Sequence, residues 1–471
     1  MIRSALIAFM CVVPFLVTAA TPNIILVMCD DLGWGDVGFN GNKIIQTPHL
    51  DAMAKNSLRF ERFYAAAPVC SPTRGSCLTG RHPFRYGIYF ANTGHMKTEE
   101  LTLAELLQKH HYATGHFGKW HLGTLTQIEK DANRGGPRGA KNFSPPQVNG
   151  FDVCFSTESK VPTWDPMLRP ETSNSRTWWD PAKHNVPYGT AYWNEKGVRI
   201  TENLRGDDSR VIMDRAVPFI RAAAKKEQPF FTIVWFHAPH LPVVAGPEHT
   251  KLYAKHKKFE QHYFGCITAM DEQIGRLRKE LRTLGIADNT LVAFCSDNGP
   301  EGQAGKNPGS AGHLSGRKRS LLEGGIRVPG LIEWPAKIKP GKTDIPAVTS
   351  DYLPTILEII SAKRADKRPL DGISLLPLFE GKMNERSQPI GFQSGNQAAL
   401  ISDRYKIYRN GDRKKESGNA SKIKLFDLKR DPSEKNDIAH QHPDLIKKMI
   451  ATLEQWRKSC RHSDVGGDYK N

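Results

Sequence analysis

Three apolar runs constrain the fold of this chain more than any other feature. Residues 23–29, 228–236 and 289–295 are strand-length and dominated by apolar side chains. A strand with apolar residues at successive positions is buried on both faces, as in a parallel sheet. Each run stops at polar residues: Asp30-Asp31, His237-Ala238-Pro239-His240 and Ser296-Asp297-Asn298-Gly299. Helical patterns at 207–226 and 259–284 alternate with the runs, which predicts an α/β architecture with a large mixed sheet flanked by helices. Open α/β sheets bind ligands at the carboxyl ends of their strands. Carboxylates gathered there are costly to bury without positive charge. Asp30, Asp31, Asp297 and Asn298 are therefore candidate metal ligands, and Gly33 and Gly35 favour a tight loop around a site over a simple helix cap. The set offers only oxygen, which suits Ca²⁺ or Mg²⁺ and not zinc.

A second feature lies at Cys70-Ser71-Pro72-Thr73-Arg74-Gly75-Ser76-Cys77-Leu78-Thr79-Gly80. Pro72 suits the first turn of a helix, which sets Cys70 just before a helix N-terminus. Free backbone N–H groups there favour anions, and Arg74 follows one turn later. Charge alone predicts a lowered thiol pKa for Cys70. Farther on, Lys119 and His121 flank Trp120 within Gly118-Lys119-Trp120-His121-Leu122-Gly123. Alternation directs both polar side chains to one cavity while Trp120 packs.

Cys-x-Pro-x-Arg followed by Leu-Thr-Gly, together with Gly-Lys-Trp-His-Leu-Gly, resembles the type I, formylglycine-dependent sulfatases. The resemblance runs along most of the chain. It implies an alkaline phosphatase-like fold with a smaller C-terminal antiparallel-sheet subdomain, divided as 1–20 (signal peptide), 21–385 (catalytic) and 386–471. It also implies that a formylglycine-generating maturation enzyme oxidises Cys70 to formylglycine. Cys70 would then join Asp30, Asp31, Asp297 and Asn298 around a Ca²⁺, with Mg²⁺ as the alternative. A thiol attacking a sulfate ester would leave a stable thiosulfate. An aldehyde hydrate offers one hydroxyl to attack sulfur and a second whose deprotonation expels sulfate. By the same resemblance Arg74, Lys119 and Lys318 balance the sulfate charge and His121 assists collapse of the hydrate. His237, with Lys318, serves the leaving oxygen, and His240 is its rival.

Residues 1–20 combine Arg3, an apolar run and Thr18-Ala19-Ala20, the pattern of a cleaved export signal. The expected location is periplasmic or secreted, with no membrane attachment after cleavage. Cys11 leaves with that segment, and the seven other cysteines are scattered and odd in number, so no disulfide framework is implied. The net charge of +17 favours anionic partners. No nucleic-acid motif accompanies it, so a sulfated glycan or another sulfate ester is the expected substrate and nucleic acid is not expected. Residues 124–205 read as long loops carrying Trp164, Trp178, Trp179 and Trp193, which either stack on sugars or pack locally. Three other readings stay open: a phosphomonoesterase or phosphonate hydrolase of the same superfamily, a non-catalytic anion- or glycan-binding protein, and a basic nucleic-acid binder, for which only the charge speaks. The chain is expected to finish with strands at 398–401, 405–408 and 424–428, a helix at 443–459 and a loose tail.

Overall fold

The computed structural model describes residues 21–172, 179–411 and 423–469. The export signal expected at 1–20, and Trp178, lie outside the described residues. Strand β1 (Asn23–Cys29) sits in the middle of a ten-stranded sheet. Its neighbours are β2 (Ala113–Lys119), β3 (Val153–Thr157), β4 (Phe230–Trp235) and β5 (Thr290–Ser296). They run in the order β5-β1-β4-β2-β3, all parallel. Met28 pairs with both Trp235 and Cys295, and Trp235 with Gly118. The carboxyl ends are thereby level, so the polar residues that follow each strand meet. Shorter antiparallel strands, such as Gly330–Glu333 beside β5, make the sheet mixed.

The apolar runs are buried on both sides, for the reason their composition suggests. Ile24, Leu26 and Met28 enter one core, and Ile25, Val27 and Cys29 the other. Helix α1 (Cys70–Thr79) contributes Cys77 and Leu78 to the first core. Helices α2 (Asp208–Lys225) and α3 (Lys258–Thr283) cover the second with Val211, Ile212, Ile274 and Leu277. Asp207 caps α2, its side chain accepting from the Arg210 N–H at 2.9 Å.

Beyond the large sheet, β6 (Ile390–Ser394), β7 (Gln397–Ile401), β8 (Tyr405–Asn410) and β9 (Lys424–Asp427) form an antiparallel sheet in sequence order. Phe392, Ile401 and Tyr408 pack on Tyr64 and Ile326 of the larger body. Ala398, Leu400 and Ile407 face Met449 and Leu453 of α4 (Pro443–Asp464).

A buried polar cluster joins the small sheet to the larger body. The buried Lys406 ammonium of β8 lies 3.0 Å from Glu323 and 2.8 Å from Glu434, both also buried. Tyr64 donates to the other Glu323 oxygen at 2.8 Å. Burial pushes Glu434 up to about 7, against the pull of Lys406. Removing the shared cation leaves Glu434 without its counter-charge and Glu323 with only Arg327, 3.7 Å away, all in a buried site. Lys406→Met is therefore expected to destabilise the protein by about 3–5 kcal/mol. Urea denaturation checks this, and a loss under about 1 kcal/mol would place the cluster with surface pairs.

Three sequence expectations need correction. Residues 57–64 read in the sequence as one strand feeding Cys70, but that strand is broken: Leu58–Phe60 joins the large sheet, and Phe63–Tyr64 pairs with Arg327–Val328 and Ala347–Val348 in a separate one. Between them the buried Arg62 turns toward the small sheet, donating to Ser402 O at 3.0 Å and to Asp403 O. The loop-rich stretch 124–205 contains β3, a member of the large sheet. The tail is not loose. Helix α4 runs to Asp464, and Asp468 then pairs with the buried Arg81 at 2.9 Å while Tyr469 donates to Glu100. All seven described cysteines are free and buried. Among the described residues, no helix is long and apolar enough to cross a membrane.

Candidate active site

Asp30 and Asp31 follow β1, and Asp297 and Asn298 follow β5 closely. Asp31 takes a left-handed backbone (φ 67°) that turns its N–H onto Asp297 Oδ1 at 3.1 Å. Asn298 Nδ2 donates to Asp31 Oδ1 at 2.7 Å. All four residues are buried, and the expected ligand set is thus brought together. Three cations answer the three carboxylates. Arg74 Nη2 lies 2.6 Å from Asp297, Lys119 Nζ 2.5 Å from Asp30 and Lys318 Nζ 2.6 Å from Asp31. Arg74 is fully buried and also lies over the Trp235 ring at 5.2 Å. Burial, then the charges of Asp30 and Asp31, hold Asp297 up to about 7 against Arg74.

The donor set fits a hard cation. Asp30 Oδ1 and Asn298 Oδ1 are buried oxygens with no hydrogen-bond partner among the described residues. One ligand atom each from Asp30, Cys70 and Asp297 lies within 4.8 Å of the others. Two orphaned oxygens in a buried cluster are a cost that an oxygen-seeking ion removes.

Helix α1 delivers Cys70 to this cluster. Val69 is extended and Cys70 is the first helical residue, so it sits within the first turn and not before it. The helix is buried along its whole length, which its small residues permit. A Cβ on Gly75 would stand 2.5 Å from the Tyr86 hydroxyl. Thr73 and Ser76 return their hydroxyls to the carbonyls of Val69 and Thr73 at 3.2 and 2.7 Å. Gly80, left-handed at φ 67°, ends the helix. The expectation of a lowered Cys70 thiol is corrected: burial raises it, and Lys119 and Lys318 only oppose that rise.

Above the cluster lies a cavity of about 420 Å³. Cys70, Lys119, His121, His240 and Lys318 line it, with Asn92, Ser159, Lys160, Glu301 and Arg319 higher on the walls and the exposed Phe90 among them. His121 Nε2 lies 2.9 Å from Asn92 Oδ1, which also accepts from Asn133 Nδ2 at 3.1 Å. Nε2 is thus the protonated nitrogen, and the buried Nδ1 keeps a free lone pair. Burial, then the charges of Lys119 and Arg74, keep this imidazole neutral. Trp120 packs fully buried, as alternation predicts.

The preference for His237 over His240 does not survive the geometry. His237 is fully buried, with Nδ1 2.8 Å from Asp208 and Nε2 2.8 Å from Thr157. Both nitrogens are spent away from the cavity. The chain then turns, the His240 N–H bonding His237 O at 2.8 Å. His240 Nδ1 donates to Leu241 O at 2.6 Å, leaving Nε2 3.7 Å from Asp31. Burial keeps this ring neutral too.

Of the two readings open for the tryptophans, local packing holds at Trp193. Trp193 is buried and donates its indole N–H to Asp131 at 3.0 Å, so it packs and is not a sugar platform. The exposed aromatic at the cavity is Phe90. Of the two arginines beside Lys318, Arg317 is structural, donating to Glu301 O and Gly309 O at 2.9 and 2.7 Å. Arg319 pairs with Glu301 at 2.6 Å on the cavity wall. Asp31, Asn92, His121 and Arg319 all have left-handed backbones (φ 67°, 61°, 60° and 75°). Such strain collects at working sites, because the surroundings must over-determine it.

A buried acidic cluster at the carboxyl ends of a parallel sheet, with a helix N-terminus and three cations around it, defines a hydrolase of alkaline phosphatase-like fold acting on tetrahedral anions. The Sulfatase family profile matches residues 22–362, and that of the N-sulphoglucosamine sulphohydrolase C-terminal region matches 312–459. The chain belongs to the sulfatase family and is a sulfuric ester hydrolase. It is 28% identical to N-acetylgalactosamine-6-sulfatase of Rattus norvegicus over 93% of this chain and 86% of that protein. It is 32% identical to arylsulfatase A of Homo sapiens over 80% of this chain and 71% of that protein. The crystal structure of Ps i-CgsB superposes with a TM-score of 0.78 at 29% identity, covering 93% of each chain. Ps i-CgsB has also been solved in complex with k-i-k-neocarrahexaose.

Proposed function

We propose that this sulfatase removes sulfate from a sulfated carbohydrate, with a formylglycine made from Cys70 and a Ca²⁺ held by Asp30, Asp31, Asp297 and Asn298. The observation that carries the reading is the cavity floor. There Cys70 starts a buried helix with its ligand atom within 4.8 Å of those of Asp30 and Asp297, in a cavity that Lys119 and Lys318 also line. The aldehyde hydrate would supply the attacking hydroxyl and an exit for sulfate. The cation would draw charge from the sulfate oxygens.

The chain's own side chains do the rest. Lys119 and Lys318 bind sulfate oxygens, and their strength comes from the burial of both side chains. Arg74 never reaches the substrate in this reading. It opposes the rise in the Asp297 pKa and holds that carboxylate in place. His121 accepts a proton at Nδ1, the nitrogen its Asn92 contact leaves free. His240 turns Nε2 inward beside Lys318, and the two face the leaving oxygen.

Carbohydrate specificity is supported by the cavity walls. Asn92, Asn133 and Ser159 form a polar rim suited to hydroxyl groups, and Phe90 offers an exposed ring to a sugar face. One relative is an N-acetylgalactosamine-6-sulfatase, and a structural neighbour binds a carrahexaose. The signal-like residues 1–20 support export to where such polymers are met, after maturation of Cys70 by a formylglycine-generating enzyme.

The test is kcat/KM on sulfated oligosaccharides, an aryl sulfate and a matched phosphate ester. The sulfated sugar is expected to exceed both by about tenfold or more, because only it fills the walls as well as the floor. Preference for the aryl sulfate would remove the carbohydrate. Preference for the phosphate ester would remove the sulfate-ester specificity of the site.

A further inference from the structure

Four cations around the floor and wall of the cavity each have a carboxylate: Arg74 with Asp297, Lys119 with Asp30, Lys318 with Asp31, and Arg319 with Glu301. Lys160 has none. It lines the same cavity, is half-buried, and makes no ion pair or hydrogen bond among the described residues. Its surroundings penalise its charge. Burial, then the ammonium groups of Lys119 and Lys318, push its pKa below the usual lysine value. A half-buried, unpaired ammonium is a standing cost unless a bound partner offsets it.

We propose that Lys160 is the counter-charge for a second anionic group of the substrate, so that the cavity selects a saccharide carrying two negative charges. The inference rests on the carbohydrate reading above. The second group is a sulfate or a carboxylate on the same sugar or the next. The scissile sulfate does not need Lys160, since Lys119 and Lys318 already flank Cys70 on the floor. An ammonium cannot ligate a metal, so the cation site does not explain it either. The neighbourhood suits a sugar substituent. Ser159 precedes Lys160, and Asn133 donates to its hydroxyl at 3.0 Å. Asn133 also lines a second cavity, of about 660 Å³, where the exposed Lys130 and Arg138 continue the positive wall outward. Charge-assisted contacts of this kind are directional enough to discriminate between substrates.

The experiment compares kcat/KM of the mature wild-type enzyme and its Lys160→Met variant on three substrates. One is a monosulfated neutral saccharide, the second carries an added sulfate, and the third carries a uronate carboxylate in its place. The wild-type enzyme is expected to favour at least one doubly charged substrate by about tenfold or more. Lys160→Met, which keeps the stem and loses the charge, is expected to abolish that preference through KM, and Lys160→Arg to retain most of it. The arm that responds identifies the anion. An unchanged preference in Lys160→Met overturns the inference. So does an equal loss on all three substrates, which would assign Lys160 to the shared sulfate. An enzyme that hydrolyses only aryl sulfates fails the carbohydrate reading instead. Lys160 is then read from competitive inhibition of that reaction by the second substrate against the first, and equal inhibition constants overturn it.

Discussion

Alanine in place of Cys70 is expected to leave a folded protein that turns over sulfate esters at least about 10⁴-fold more slowly, because the nucleophile itself is gone. Folding is expected to survive because the Cys70 thiol makes no hydrogen bond among the described residues, and losing one small atom at the cavity floor leaves little new void. Arg74, Lys119 and Lys318 keep their carboxylate partners in the variant, so the electrostatic frame stays assembled. Circular dichroism and thermal melting check the fold, and turnover of an aryl sulfate checks the chemistry. Mass spectrometry of the peptide bearing residue 70 completes the test. An active wild-type protein whose residue 70 is entirely thiol would refute the formylglycine mechanism.

Chelation is expected to lower activity by about two orders of magnitude or more, and Ca²⁺ to restore it. Thermal stability should fall with it, because an ion bound only by the native state stabilises that state by mass action. The melting temperature therefore reports the site independently of turnover. The cluster explains why chelation is a cleaner probe than Asp297→Ala. That substitution would remove a ligand and also strip the fully buried Arg74 of its 2.6 Å partner. Arg74 would be left with only Asp30, 3.6 Å away, as counter-charge, and losing the nearer partner of a buried guanidinium is itself strongly destabilising. Retained activity and an unchanged melting temperature in metal-free protein would overturn the assignment.

Much of this architecture can be read from the chain because the same residues report burial twice. Apolar runs at 23–29, 228–236 and 289–295 announce strands covered on both faces, and the carboxylates that end two of them announce where charge must be matched. The motif at Cys70 and the Lys119–Trp120–His121 alternation are local patterns, and the structure keeps them local. What escaped is set by contacts across long stretches of sequence. His237 and His240 are three residues apart, and only Asp208 and Thr157, far away along the chain, show which ring is already engaged. Trp193 is a packing residue because Asp131 accepts its indole N–H. Arg62 breaks a strand because main-chain carbonyls near residue 402 wait for it. Lys160 carries no local signal at all; its meaning comes from the partners its neighbours have and it lacks. The direction of the Cys70 thiol shift is not legible in the sequence, because helix position is visible there and depth is not.

The cavity floor is built on strand ends and a buried helix, whereas its walls come from connecting segments around residues 90, 133, 159 and 319. Those segments can be lengthened, shortened or resurfaced without shifting the register of β1, β2, β4 and β5. An evolving lineage could therefore exchange one sulfated polymer for another by insertions in the connections alone, keeping the hydrolytic apparatus as inherited. The same separation gives the engineer a rule. Libraries aimed at substrate range belong at Phe90, Asn133, Lys160 and Arg319, while Arg74 and the acidic cluster beneath it are best left untouched.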